Sequence, residues 1–200
     1  HDPLSQYLED RLVGPSGNYL FGTDTLGRDQ FSRIVHGARV SLYVGLLAVL
    51  AGSSIGTVIG VASAYLGGKV DLGVQRVIDA LQGIPSLVLT LAMVVALGAS
   101  LNNVTTAIAI AFISGATRIA RSQALSVKEE DYILASRAVG ASTLRIIFRH
   151  VMLNSLTGVL VQATGRLGSA IITEAGLSFL GLGVPPPHSS WGRMLQFGAR

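Results

Sequence analysis

Residues 40–66 form a run of 27 without a single charged side chain. The hydrocarbon core of a bilayer, about 30 Å thick, is crossed by about 20 helical residues. The run therefore predicts a membrane-spanning helix with some tilt. Within it Ala48, Gly52, Gly56, Gly60 and Ala64 recur at every fourth position. In a helix that spacing makes one smooth ridge, and such ridges let two helix backbones approach closely in lipid. Gly52, Gly56 and Gly60 are the expected packing positions.

The composition agrees with a membrane chain. Half of the 200 residues are hydrophobic, 13% are charged, and the mean hydropathy is +0.55; soluble domains carry roughly 25% charged residues. A large soluble helical core would need amphipathic stripes, whereas these stretches are apolar all round. Further spans are expected at about 87–97, 104–116 and 151–172. Pro85 precedes the first of these, suiting the first turn of a helix, where its missing N–H costs nothing. Residues 70–81 suggest a short amphipathic helix. Pro185, Pro186 and Pro187 cannot continue the last helix. The predicted architecture is all-α, a polytopic transmembrane bundle. Residues 1–39 form a polar segment that leads into a transmembrane domain over 40–200.

A net charge of +4 and a pI near 9.9 would raise nucleic-acid binding in a soluble protein. Here the basic residues gather in one segment, 118–150, where Arg118, Arg121, Lys128, Arg137, Arg145 and Arg149 face only Glu129, Glu130 and Asp131. The positive-inside rule explains this bias, so no nucleic-acid partner is expected. It places residues 118–150 and 67–83 in the cytoplasm, and residues 1–39 and the tail outside.

Catalytic signatures are absent. The chain has no phosphate-binding G-x-x-x-x-G-K-[ST] loop: Gly68-Lys69 is followed by Val70, and Ser63 stands where the first glycine belongs. It has no H-E-x-x-H. Without cysteine it has no disulfide or thiolate metal site, and His1, His36, His150 and His188 form no ligand pair at helical spacing. The chain is expected to be no enzyme and to hold no cofactor or metal. Any ATP and Mg would sit on other chains.

The segment 118–150 is too long for an ordinary connection between bundled helices, which takes about 2–8 residues. Tyr132, Ile133, Leu134, Ala138 and Val139 are followed by Gly140, then by Leu144, Ile146, Ile147, Val151 and Met152. This pattern reads as helix, sharp turn, helix, with acidic residues suited to the first helix's N-terminus. It predicts a cytoplasmic interaction surface.

These residues resemble the "EAA" loop of type I ATP-binding-cassette importer permeases, and most closely the C-type subunits of the dipeptide/oligopeptide/nickel branch. The family pattern is E-A-A, three residues, G, nine residues, I-x-L-P. Leu134, Ala135 and Ser136 fill the first triplet and Gly140 the glycine; His150-Val151-Met152-Leu153 fill the end. Leu134 replaces the Glu and Leu153 the final Pro. The resemblance covers nearly the whole chain, through Gly22–Asp29, Gly37–Leu42, Asp79–Ser86, Glu174–Val184 and Ser190–Leu195.

The resemblance implies a type I importer permease fold of six spans, about four of them in this chain, with the first and last lying outside residues 1–200. The start at His1 likewise suggests a piece of a longer protein. The resemblance also implies a multi-pass protein of a bacterial or archaeal plasma membrane, importing peptides or nickel complexes. Its implied partners are two ATP-binding subunits, a second, homologous but non-identical permease and an extracytoplasmic solute-binding protein. Coupling to the ATPases would fall to Leu134, Ala135, Ser136, Gly140, Ala141, Leu144 and Ile147. A secondary transporter, or a membrane scaffold with no ATPase partner, is the alternative.

Two charges fall near or inside the last span. Arg166 sits mid-span, where a charge usually faces a cavity or a partner, and is a candidate for the translocation path. A structural hydrogen bond to a neighbouring subunit is the equal alternative. Glu174, two turns on, cannot pair with it directly and is expected to be structural.

Overall fold

A computed structural model describes residues 1–185 and 189–198. Pro186, Pro187, His188, Ala199 and Arg200 lie outside the described residues. Among the described residues eight helices form the architecture, and three of them are long and apolar enough to cross a membrane.

Helix α1 (Gln30–Leu66) begins where Asp29 caps it: the carboxylate accepts from the Phe31 amide at 3.2 Å and from the Ser32 hydroxyl at 2.6 Å. Such a cap satisfies N–H groups that a helix start leaves without partners. The helix ends at Gly67, whose φ of +66° an L side chain rarely adopts and whose N–H returns to the Ser63 carbonyl. Its 37 residues reach about 55 Å at 1.5 Å each. The expected span is thus extended by ten residues at its start, outside the uncharged run.

Helices α2 (Gly68–Gln82) and α3 (Ser86–Leu97) meet at an 86° bend. Pro85 sits at the bend, and a residue before proline disfavours helical backbone. At 12 residues α3 extends about 18 Å, short of a full crossing; the pair counts as a fourth span only if taken together. Helix α4 (Leu101–Val127) starts at Ser100, whose hydroxyl accepts from the Asn103 amide at 3.1 Å.

The polar residues from Arg118 onward, expected in a loop, continue α4 to Val127. Their charges are met by the neighbouring helix, so the helix need not end. Arg118 pairs with Asp79 at 2.6 Å, and Arg121 holds Asp71 in a two-pronged contact at 2.6 and 2.7 Å. The connecting segment shrinks to 128–142, with α5 (Asp131–Ala138) inside it. Helix α6 (Thr143–Ile146) passes through one π turn, Ile147–Val151, into α7 (Met152–Phe179). The short α8 (Trp191–Gly198) closes the described chain.

Helix α1 is the centre of the bundle. Helix α4 runs parallel to it and α7 antiparallel. A methyl group placed on Gly52 would lie 2.5 Å from the Ala109 carbonyl oxygen; one on Gly56 would lie 2.6 Å from Ala116 Cβ; one on Gly60 would run into the Thr117 carbonyl. The glycine ridge is therefore seated directly on the α4 backbone. Two apolar cores flank it. One, at the α8 end, gathers Val44, Ala48, Val94, Ile108 and Leu177; the other, at the α5 end, gathers Val61, Ala64, Ala120, Ile133 and Ile146. On the faces turned away, Leu42, Leu46, Leu50 and Ile55 are exposed, as a chain with apolar surroundings allows.

At the α8 end the segment before α1 folds back on itself. Asp24 accepts from Arg28 Nε at 2.8 Å and from the Arg33 guanidinium. Burial by itself raises the Asp24 carboxyl, but hydrogen bonds from the Arg28 side chain and from the Arg28 and Leu26 amides outweigh it, and the net shift is downward.

Candidate functional site

Two features stand out by chemistry: an apolar face on the segment between α4 and α7, and a polar cleft inside the bundle.

The α4–α7 segment is anchored before it is exposed. Ile133 is fully buried in the core beside it. Lys128 Nζ donates to the Ala64 carbonyl at 3.2 Å, matching a cation to the C-terminal end of α1. Arg137 Nε donates to the Tyr65 hydroxyl at 3.2 Å, with the guanidinium 5.1 Å over the Tyr65 ring. Three contacts thus bind this segment to the last turn of α1. Helix α5 then stops at Gly140, whose φ is +80° and whose N–H closes onto the Arg137 carbonyl at 2.9 Å. No neighbour lies within 4 Å of a side chain placed there, so the backbone conformation alone calls for glycine.

Beyond this anchor Leu134, Ala135, Gly140 and Leu144 are exposed, while Ser136 and Ala141 are half-buried. Ile147, expected with them, is buried in the core and packs there instead. Val139 completes the outward face at 84% exposure. Tyr132 and Phe148 are exposed beside it. Their positions were visible as apolar letters, but the direction of each side chain depends on the turn at Gly140.

The cleft lies between the α2–α3 bend, α4 and α7. Its volume is about 380 Å³, and Gln82, Ser86, Phe112, Ser114, Arg166 and Ser169 are among its walls. Arg166 crosses from α7, donates from Nη1 to the Phe112 carbonyl at 2.7 Å, and stacks 4.9 Å over the same residue's ring. A methyl on Gly115 would overlap its Nη2; that glycine clears the path of the guanidinium over α4. Arg166 has no carboxylate partner among the described residues. Arg166 thus makes a hydrogen bond to a neighbouring helix of its own chain and stands on a cavity wall.

Glu174 is elsewhere. It is fully buried, accepting from Ser178 at 2.7 Å and Ser41 at 3.3 Å. Ser41 Oγ in turn accepts from the Trp191 amide at 3.3 Å. The carboxylate joins α1, α7 and α8 and does not reach the cleft. Among the described residues no cluster of three or more His, Asp or Glu is arranged to hold a metal ion.

Residues 56–199 match the family described as binding-protein-dependent transport system inner membrane component. The chain is 45% identical over 196 residues to the dipeptide transport system permease protein DppC of Alkalihalophilus pseudofirmus, covering 96% of this chain and 64% of that protein. It is 44% identical over 198 residues to the probable D,D-dipeptide transport system permease protein DdpC of Escherichia coli, covering 99% and 66%. With the glutathione transport system permease protein GsiD of Pectobacterium atrosepticum it shares 41% over 197 residues, covering 98% and 65%. The chain thus spans slightly under two thirds of the length of these relatives. In fold it is similar to a solved chain of the MetNI methionine ABC transporter in inward-facing conformations. The TM-score is 0.69 at 21% identity, covering 82% of this chain and 80% of that one.

Proposed function

The chain belongs to the family of inner membrane components of binding-protein-dependent transport systems, and from that premise we propose that it is a permease subunit of an ATP-driven peptide importer. It is a multi-pass membrane protein of the type I permease fold. The peptide cargo is inferred from relatives named for dipeptides, D,D-dipeptides and glutathione. The partners are two ATP-binding subunits, a second permease and a solute-binding protein, with ATP and its Mg held by the ATP-binding subunits.

The observation that carries this reading is the exposed apolar face of Leu134, Val139 and Leu144 on a segment bound to α1 by Ile133 and by Arg137 on Tyr65. Water disfavours such a patch, and patches of this kind mark docking sites. An ATPase seated there would push on Gly140 and α5, and the contacts to Tyr65 and Ala64 would carry the displacement into α1. Helix α1 is in turn seated on α4 through its glycines, so the three long helices would move as a body. A change in the 86° angle between α2 and α3 would open or close the cleft containing Arg166, against the ion pairs that hold α2 to α4. In this reading residues 128–142 lie in the cytoplasm, Arg166 lines the translocation path, and the α8 end lies outside.

The absence of cysteine makes the test clean. In the full-length protein a Val139→Cys substitution is expected to cross-link to a cysteine on the co-expressed ATPase, with a yield that changes on ATP addition. A cysteine at 139 that is reagent-accessible from the cytoplasm yet never cross-links would favour a secondary transporter or a scaffold instead.

A further inference from the structure

Arg166 carries its charge within α7, one of the three helices long and apolar enough to cross a membrane. Its one hydrogen bond among the described residues, from Nη1 to the Phe112 carbonyl, uses a single donor. A guanidinium has five N–H donors in a planar fork that matches a carboxylate. A charge in the membrane without a counter-ion is costly and marks a pathway or a ligand. The same side chain lines a cleft of about 380 Å³, a size suited to a small organic ligand. The other polar walls, Gln82, Ser86, Ser114 and Ser169, are neutral. The cleft therefore presents one positive charge, several neutral hydrogen-bonding groups and no negative charge.

We propose that Arg166 receives a carboxylate of the transported peptide, making this cleft a carboxylate-selective station on the path. The inference rests on the peptide-importer reading above. Geometry supports it beyond the charge itself. Gly115 leaves the space that the guanidinium crosses, and any side chain there would displace it. The stack on Phe112 and the bond to its carbonyl fix the plane of the fork, so that a carboxylate meets donors already oriented. Gln82 and Ser86 come from the α2–α3 bend, so a change in that angle would assemble or disperse the site. Such a site would bind in one conformation and release in the other.

The carboxylate has two possible sources, the peptide's C-terminus or an acidic side chain. The test uses the full-length permease with its partner permease, ATPases and solute-binding protein in proteoliposomes. Three cargoes are compared at equal occupancy of the binding protein, measured beforehand: a dipeptide, its C-terminal amide, and an amide carrying a glutamate side chain. The wild type is expected to move the free dipeptide about tenfold faster than its amide, the effect of one charge-assisted hydrogen bond. Equal favour for the glutamate amide would assign either source; favour for the dipeptide alone would assign the terminus.

Arg166→Gln is expected to bring the ratio of dipeptide to amide close to one, and Arg166→Lys to keep most of it. A Gln variant that assembles and retains the wild-type ratio overturns the proposal. Should the Gln complex fail to assemble, arginine-directed dicarbonyl labelling of the wild type decides. Labelling at Arg166 is expected to fall with the free dipeptide and not with its amide; equal labelling overturns the proposal. A wild-type complex with no ATP-driven peptide uptake at all would instead overturn the importer reading on which it rests.

Discussion

A methyl group on Gly56 would fall 2.6 Å from the Cβ of Ala116: at these two residues α1 and α4 are in backbone contact. The position is flanked by Gly52 and Gly60 in the same relationship to Ala109 and Thr117. Gly56→Val should therefore separate the helices and lower stability by about 1–3 kcal/mol, the usual cost of overpacking. Gly73→Ala, on α2 with open space around it, should gain about 0.5–1 kcal/mol through helix propensity. Thermal unfolding of the detergent-solubilised full-length protein compares the two. A Gly56→Val melting temperature at or above wild type would contradict the packing account.

Ile133 and Val139 separate anchoring from presentation within one short segment. Ile133 is fully buried, and Ile133→Ala should cost about 2–5 kcal/mol. Val139 is almost fully exposed, and Val139→Ser should change stability by no more than about 0.5 kcal/mol while weakening capture of the ATPase subunit. Co-purification and melting temperature, measured together, check both. Loss of stability on Val139→Ser would mean that the face is packed within the chain.

At Gly140 the backbone rather than the space is restrictive. Valine at φ +80° costs about 1–2 kcal/mol relative to glycine, whereas asparagine visits this region more readily. Gly140→Val should uncouple ATP hydrolysis from peptide uptake, and Gly140→Asn should keep much of the coupling. The measurement is transported peptide per ATP hydrolysed in proteoliposomes. Normal coupling in the valine variant would remove Gly140 from the lever.

Asp24 gives the segment before α1 a pH dependence. Its carboxyl lies below the ordinary value of 3.8 in the folded protein. A depressed folded value contributes stability above the unfolded value, lost as pH falls through the folded one. The segment before α1 should therefore stay protected through pH 5 and loosen only below about 4. Asp24→Asn should abolish that step. Hydrogen exchange of residues 8–28 across this range is the check; an unchanged profile in Asp24→Asn would exclude the carboxylate as its source.

Glu174 reports on itself through Trp191, the single tryptophan of the chain. The Trp191 amide donates to Ser41 Oγ, and Ser41 donates to Glu174. Its indole also donates to the Ile34 carbonyl at 3.0 Å. Glu174→Ala leaves both serine hydroxyls without their acceptor and should loosen α8 from α1. Tryptophan emission should shift to the red and become more accessible to quencher. Glu174→Gln, which keeps a carbonyl acceptor, should shift it less. Identical emission in all three proteins would show that α8 is held by other contacts.

Much of the architecture is local in origin, which is why the chain itself reveals it. The uncharged run at 40–66 demands a buried or lipid-facing helix wherever it lies, and Gly52, Gly56 and Gly60 share a face by helical period alone. Gly140 marks a helix end because it acts on backbone groups a few residues away. The excess of Arg and Lys over 118–150 sets that segment apart from the rest of the chain.

Other features depend on which residues meet across the fold. That α4 continues through Arg118 and Arg121 follows from Asp79 and Asp71 standing opposite on another helix. That Ile147 faces inward follows from the core it enters with Ile133, Ile146 and Val151. The pairing of Arg166 with Phe112 spans 54 positions and that of Glu174 with Ser41 spans 133, and no periodicity encodes either. The sequence by itself determined the membrane class, the long apolar run of α1 and the turn at Gly140, because hydrophobicity and backbone preference act over short stretches. Only the tertiary structure decided which buried charge lines a cleft and which is locked between helices, because that choice belongs to contacts made after the helices have packed.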